Sequence, residues 1–193
     1  GYPRCTAPQK LFSPGFNFKR KEHSMDAYPN PSPEYFMEKA LELAKEAAAE
    51  GEVPVGAVLV KDGVIVSTGR NRREQEKNAL CHAEIEAIHN GCQALGGWRL
   101  WQCELYVTLE PCPMCAGAII NARIPKVYYG AKDDKNGACG SVVNLFEQSF
   151  THKPELVTGI LEADCTKVLQ DFFVWLREDL KNRPKWKKPA SNP

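Results

Sequence analysis

The 193-residue sequence has no apolar run approaching the roughly 18–20 residues that a membrane-crossing helix needs. Its first residues lack the apolar stretch of a secretory signal, so a cytoplasmic protein with no membrane contact is expected. No segment repeats at a fixed period, which excludes solenoids and propellers. Net charge is also scarce, at +1, but it is unevenly spread. Residues 1–33 carry a net +3 and residues 181–193 a net +5, which leaves the stretch between them at −7. An acidic body with a basic tail suits contact with nucleic acid phosphates through that tail; a solvated tail fits the same charges.

Cysteine is plentiful, with eight in the chain. A chain of this length buries enough apolar surface to fold without covalent staples. Two of the cysteines stand in a tight Cys-x-x-Cys, which points to metal. The other six read as reduced thiols.

Three segments are expected. Residues 1–33 hold six of the fourteen prolines and show no periodicity, so they read as an arm without regular structure. Met25 within it is a plausible natural start. Residues 34–180 form one domain, and 181–193 are the basic tail.

Within the domain, Ser32-Pro33 opens a helix with Phe36, Ala40, Leu43 and Ala47 on one stripe, and Gly51 stops it. Val55–Val60 and Val64–Thr68 read as strands joined through Asp62-Gly63, a hairpin signal. A polar loop follows over Gly69–Asn78. The rest alternates: a helix from His82 to about Leu95, a strand at Leu105–Leu109, and a short helix from Cys112 to Asn121. Then come a strand at Lys126–Gly130, a polar loop over Lys132–Ser141 and a short helix near Val142–Gln148. A strand at Glu155–Ile160 and a final helix over Ala163–Leu180 close the domain. That order predicts an α/β fold with a largely parallel sheet between layers of helices.

The chemistry concentrates in His82-Ala83-Glu84 and Cys112-Pro113-Met114-Cys115. Cysteines three apart at a helix start face one point, and the helix N-terminus favours their thiolate form. His82 opens the other helix that connects two strands, so both helix starts fall at the carboxyl ends of strands. One imidazole and two sulfurs favour zinc. Three protein ligands leave a fourth place for water, the pattern of a catalytic rather than a structural site. Zinc lowers the pKa of bound water towards ~7. Glu84 lies beside that water without binding metal, which suits it to move protons. The alternative is a structural zinc site or buried free cysteines, neither of which requires Glu84.

These motifs, with Glu52–Val60, Arg70-Asn71, Leu105–Ala118, Gly130–Asp133, Gly137–Ser141 and Asp171–Phe173, resemble the cytidine deaminase-like superfamily. Within it, residues 34–180 are similar to bacterial-type tRNA-specific adenosine deaminases. The resemblance implies a three-layer α-β-α fold on a five-stranded mixed sheet. It implies one zinc ion per chain, held by His82, Cys112 and Cys115, with Glu84 as the proton shuttle that turns adenosine into inosine. It places Asn71 and the Ala83 backbone amide on the base, Asp133 near the sugar and Phe173 against the anticodon loop of a tRNA. It also implies a homodimer. Against these stand plainer readings: Asn71 and Asp133 as turn residues, and Phe173 as core like Phe172. Cys81 is given no role.

Two other functions share the zinc motif. A deaminase of free bases or nucleosides, of guanine or cytosine type, uses the same ligands; the long final helix and lysine tail favour RNA. A non-catalytic RNA-binding protein would have no use for Glu84.

Overall fold

Ser32 caps the first helix, α1 (Pro33–Ala49): its hydroxyl accepts from the Tyr35 amide, and Pro33 stands in the first turn. The computed structural model describes residues 31–182. The arm up to residue 30, Met25 included, and the tail from residue 183 lie outside the described residues. The buried face of α1 is Phe36, Met37, Ala40, Leu41, Ala44 and Ala47, with Leu43 at its margin.

The hairpin forms as the Asp-Gly pair dictates. β1 (Gly56–Lys61) and β2 (Val64–Arg70) pair antiparallel, and both Asp62 and Gly63 take positive φ, as a tight primed turn requires. The remaining elements are α2 (Ala83–Leu95), β3 (Cys103–Leu109), α3 (Pro113–Ala122), β4 (Lys126–Ala131), β5 (Glu155–Thr158) and α4 (Glu162–Asn182).

The strand order is β2-β1-β3-β4-β5. β1 is antiparallel to both neighbours, whereas β3, β4 and β5 run parallel. The sheet is therefore five-stranded and mixed, as the resemblance implied, and the largely parallel sheet read from the element order alone is corrected. Four strands do point one way. The hairpin inserts β1 between β2 and β3, and this makes two of the four pairings antiparallel.

Side chains alternate between the faces. Leu59, Leu105, Val107, Val127 and Tyr129 pack towards α2 and α3. Val58, Val60, Tyr106 and Tyr128 pack towards α1 and α4, where Tyr106 and Tyr128 stack with ring centroids 4.2 Å apart. The three expected layers are present.

One expected element is missing. Residues 142–148 form turns, not a helix, with an isolated bridge between Cys139 and Asn144. The Asn144 side chain accepts the Phe146 amide, a local bond that competes with helical pairing. The helix expected from Cys112 begins instead at Pro113, with Cys112 as its N-cap. The last strand stops at Thr158 rather than Ile160.

Candidate zinc-dependent active site

One end of the sheet gathers the chemistry. β2, β3 and β4 all finish there, and the segment that leads into β1 starts there. α2 and α3 begin at the same end, so their N-termini bring positive partial charge to it. Gly69 on β2 makes the tight fit of α2 possible. A Cβ at Gly69 would run into the Ala83 carbonyl oxygen and lie 2.5 Å from the Ala87 nitrogen.

His82 caps α2 and Cys112 caps α3, while Cys115 lies buried in the first turn of α3. The His82 Nδ1 atom is 3.7 Å from the Cys112 Sγ and 3.6 Å from the Cys115 Sγ. Among the described residues these three form a group whose ligand atoms lie within 4.8 Å of one another. Tetrahedral zinc with Zn–S of about 2.3 Å and Zn–N of about 2.0–2.1 Å needs N···S edges of roughly 3.6 Å. The donor set and its spacing fit one zinc ion.

The electrostatics agree with a metal centre. A hydrogen bond from Cys115, with a further contribution from His82, lowers the Cys112 pKa to about 4, so Cys112 is a thiolate. The same bond, together with burial, raises the Cys115 pKa. The bond to Cys112 also raises the His82 pKa. Glu84 is buried beside them, and desolvation pushes its carboxyl up to about 7. A carboxyl poised there both takes and gives protons at neutral pH.

A cavity of about 670 Å³ opens above this cluster. Asn71, His82, Ala83, Glu84, Cys112, Asp133 and Phe173 line it. Cys115 lies beneath the lining. Every residue expected from the sequence therefore comes to one place, from five different elements and loops.

The chain matches the cytidine and deoxycytidylate deaminase zinc-binding region over residues 31–131. It is 48% identical over 149 residues to a tRNA-specific adenosine deaminase of Bacillus subtilis (strain 168), a span of 77% of this chain and 92% of the relative. The chain belongs to the tRNA-specific adenosine deaminase family. A solved tRNA:A34 deaminase that edits the wobble position of transfer RNA superposes with a TM-score of 0.69 at 46% identity, over 70% of this chain and 99% of that one. The guanine deaminase of Bacillus subtilis is more distant, with a TM-score of 0.51 at 29% identity over 83% of this chain and 100% of the other.

The structure also separates two phenylalanines that periodicity could not. Phe172 is 6% exposed and packs in the fold, whereas Phe173 is 40% exposed and faces the deaminase cavity. Asp133 forms the turn expected as its plainer reading and also faces the cavity. Its Oδ1 accepts the Lys135 and Asn136 amides, each at 3.0 Å.

Sequence reasoning missed two buried carboxylates and three cations. Glu52 accepts the Asn71 side-chain amide at 3.3 Å and the Gln75 backbone amide at 2.8 Å, which fixes the orientation of Asn71. Glu110 holds the loop after β4. Arg73, Lys132 and Lys135 line the cavity. The charge pattern hinted at none of these, because the two lysines are interleaved with Asp133 and Asp134 and Arg73 is remote from them in the chain.

Proposed function

We propose that the protein hydrolyses adenosine to inosine in RNA, and that its natural target is the wobble adenosine of a tRNA anticodon stem-loop. The observation that carries the reading is the buried Glu84 carboxyl beside the His82, Cys112 and Cys115 cluster, at the floor of a cavity whose lining includes Arg73, Lys132 and Lys135. The Bacillus subtilis relative's activity supports the choice of substrate.

His82, Cys112 and Cys115 would hold the zinc, which supplies a Lewis acid that makes water nucleophilic near neutral pH. Glu84 takes a proton from the attacking water as its oxygen adds to C6 of adenine, and delivers it to N1. Glu84 then takes the remaining proton from the oxygen now on C6 and passes it to the exocyclic nitrogen, so that the C6–oxygen bond becomes a carbonyl as the C6–N bond breaks and ammonia leaves. Water plus adenosine thus gives inosine plus ammonia. The Ala83 amide, which heads α2 with no acceptor in its own helix, donates to the base. Asn71, held by Glu52, orients the base, Asp133 meets the sugar, and Phe173 offers a surface on which a neighbouring base stacks. The target base must be splayed from its neighbours, which a loop allows.

The catalytic unit on this reading is 34–180, and the tail 181–193 meets phosphates. The working form is a homodimer in which both subunits shape the RNA site. In its favour, Val142, Val143 and Phe150 leave apolar surface exposed on one segment. Cytoplasmic residence is supported by the seven free cysteines among the described residues. No described helix is long and apolar enough to cross a membrane.

The test is direct. The zinc-loaded protein is incubated with an adenosine-bearing anticodon stem-loop, and separately with guanine, cytosine and cytidine. Inosine in the stem-loop, without ammonia from the free compounds, is expected. The reverse outcome would assign the chain to the free-base deaminases.

A further inference from the structure

Glu110 takes no part in the chemistry above, yet it is almost completely buried at the end of β3. Four donors converge on its carboxylate. Oε2 accepts the Asp133 amide at 3.1 Å and the Ser141 hydroxyl; Oε1 accepts the Cys139 and Ser141 amides, each at 3.0 Å. The donors come from both ends of one loop. Asp133 itself, with Lys135 and Asn136 between the donors, forms a wall of the cavity.

The sequence is cut to fit this carboxylate. A Cβ at Gly137 would stand 2.5 Å from Glu110 Oε2, so glycine is required for the loop to close over it. The loop also bonds back to the zinc-holding turn, through the Ala138 amide to the Pro111 carbonyl at 2.9 Å. Pro111 stands between Glu110 and Cys112, so one short segment reaches both the metal ligand and the loop. An apolar residue at 110 would leave one buried and two part-buried amides without their acceptor. What the carboxylate adds is a fixed loop geometry.

We infer that Glu110 is a positioning residue that clamps residues 133–141 into a pre-set wall for the RNA strand and ties that wall to the turn bearing Cys112. The inference rests on the RNA reading above. A wall already in its bound shape loses less conformational freedom when substrate arrives. Glu110 therefore acts on KM for a structured RNA and leaves the bond-breaking step alone.

The test uses the full zinc-loaded chain and the adenosine stem-loop. Glu110→Gln keeps the size but puts a donor where amides need an acceptor. It is expected to retain one zinc, raise KM about tenfold and leave kcat within about threefold, as an interaction used in binding alone would. Its Asp133, Cys139 and Ser141 amides exchange at least about tenfold faster, while those of α3 do not. Lys135→Ala raises KM about threefold in the wild type and has almost no effect beside Glu110→Gln, because the lysine is no longer held in place. Independent, multiplying effects would overturn the clamp, as would a fall in kcat with unchanged KM.

If Glu110→Gln does not fold, Ser141→Ala decides, since it removes one donor and keeps the carboxylate. A KM rise of about threefold at constant kcat and zinc content is expected, and an unchanged KM overturns the clamp. A wild-type protein that leaves the stem-loop untouched overturns the substrate reading instead. The amide-exchange comparison then decides for or against the clamp by itself.

Discussion

At the scale of single residues, the site divides into groups that hold metal, move protons and meet substrate. Glu84→Gln should keep its zinc and its RNA affinity while turnover falls about 10³-fold, within the range for loss of a general acid–base group. Metal analysis, a binding titration and single-turnover kinetics check this, and unchanged turnover would remove Glu84 from the mechanism. Phe173→Ala should raise KM for the stem-loop about tenfold, the effect of losing one stacking surface, without altering the melting temperature much, because the ring is already part-exposed. The metal and proton groups were legible in the sequence because each stands in a compact local motif, two or three residues apart. Glu52 and Glu110 were not. Their partners lie 19–31 residues away in the chain, and only the folded backbone brings those amides to them.

At the scale of elements, the helix starts carry the function. α2 delivers His82, Ala83 and Glu84 together, and its seat depends on Gly69. Gly69→Ala should push α2 off β2. An overpacked contact costs about 1–3 kcal/mol, and zinc occupancy should fall with it because His82 moves while the cysteines on α3 stay. Thermal melting and metal stoichiometry measure the two effects; full occupancy with wild-type stability would show that the close approach is not needed. Periodicity revealed the helices and strands, since each has a buried stripe or an alternating pattern. It could not reveal the direction of β1 against β3, which depends on where the hairpin docks. Nor could it show that Asn144 diverts residues 142–148 into turns, because a side chain that bonds its own backbone leaves the apolar pattern unchanged.

At the scale of the whole molecule, metal and fold support each other across two elements. Zinc bonds α2 to α3 and is absent from the unfolded chain, so ligand at 100-fold its Kd should add about 2.7 kcal/mol. Chelation should accordingly lower the melting temperature, and restored zinc should return it. Removal of residues 181–193 should weaken RNA binding and flatten its salt dependence. The slope should change by about 0.7 for each single-strand phosphate that the tail had neutralised. Salt-dependent binding titrations of the two forms measure this, and identical slopes would leave the tail as solvated chain. The three-layer architecture followed from the order of elements. The meeting of Arg73 with Lys132 and Lys135 at the cavity did not, because Arg73 stands about sixty residues away in the chain and only the fold brings it to them.

The most direct measurement is inosine formed per mole of bound zinc. A stem-loop with adenosine at the wobble position is presented to protein of known metal content. Inosine should form catalytically in proportion to the zinc held, and vanish when His82, Cys112 or Cys115 is replaced. Inosine formation that persists in metal-free protein, or none from fully loaded protein, would contradict the account.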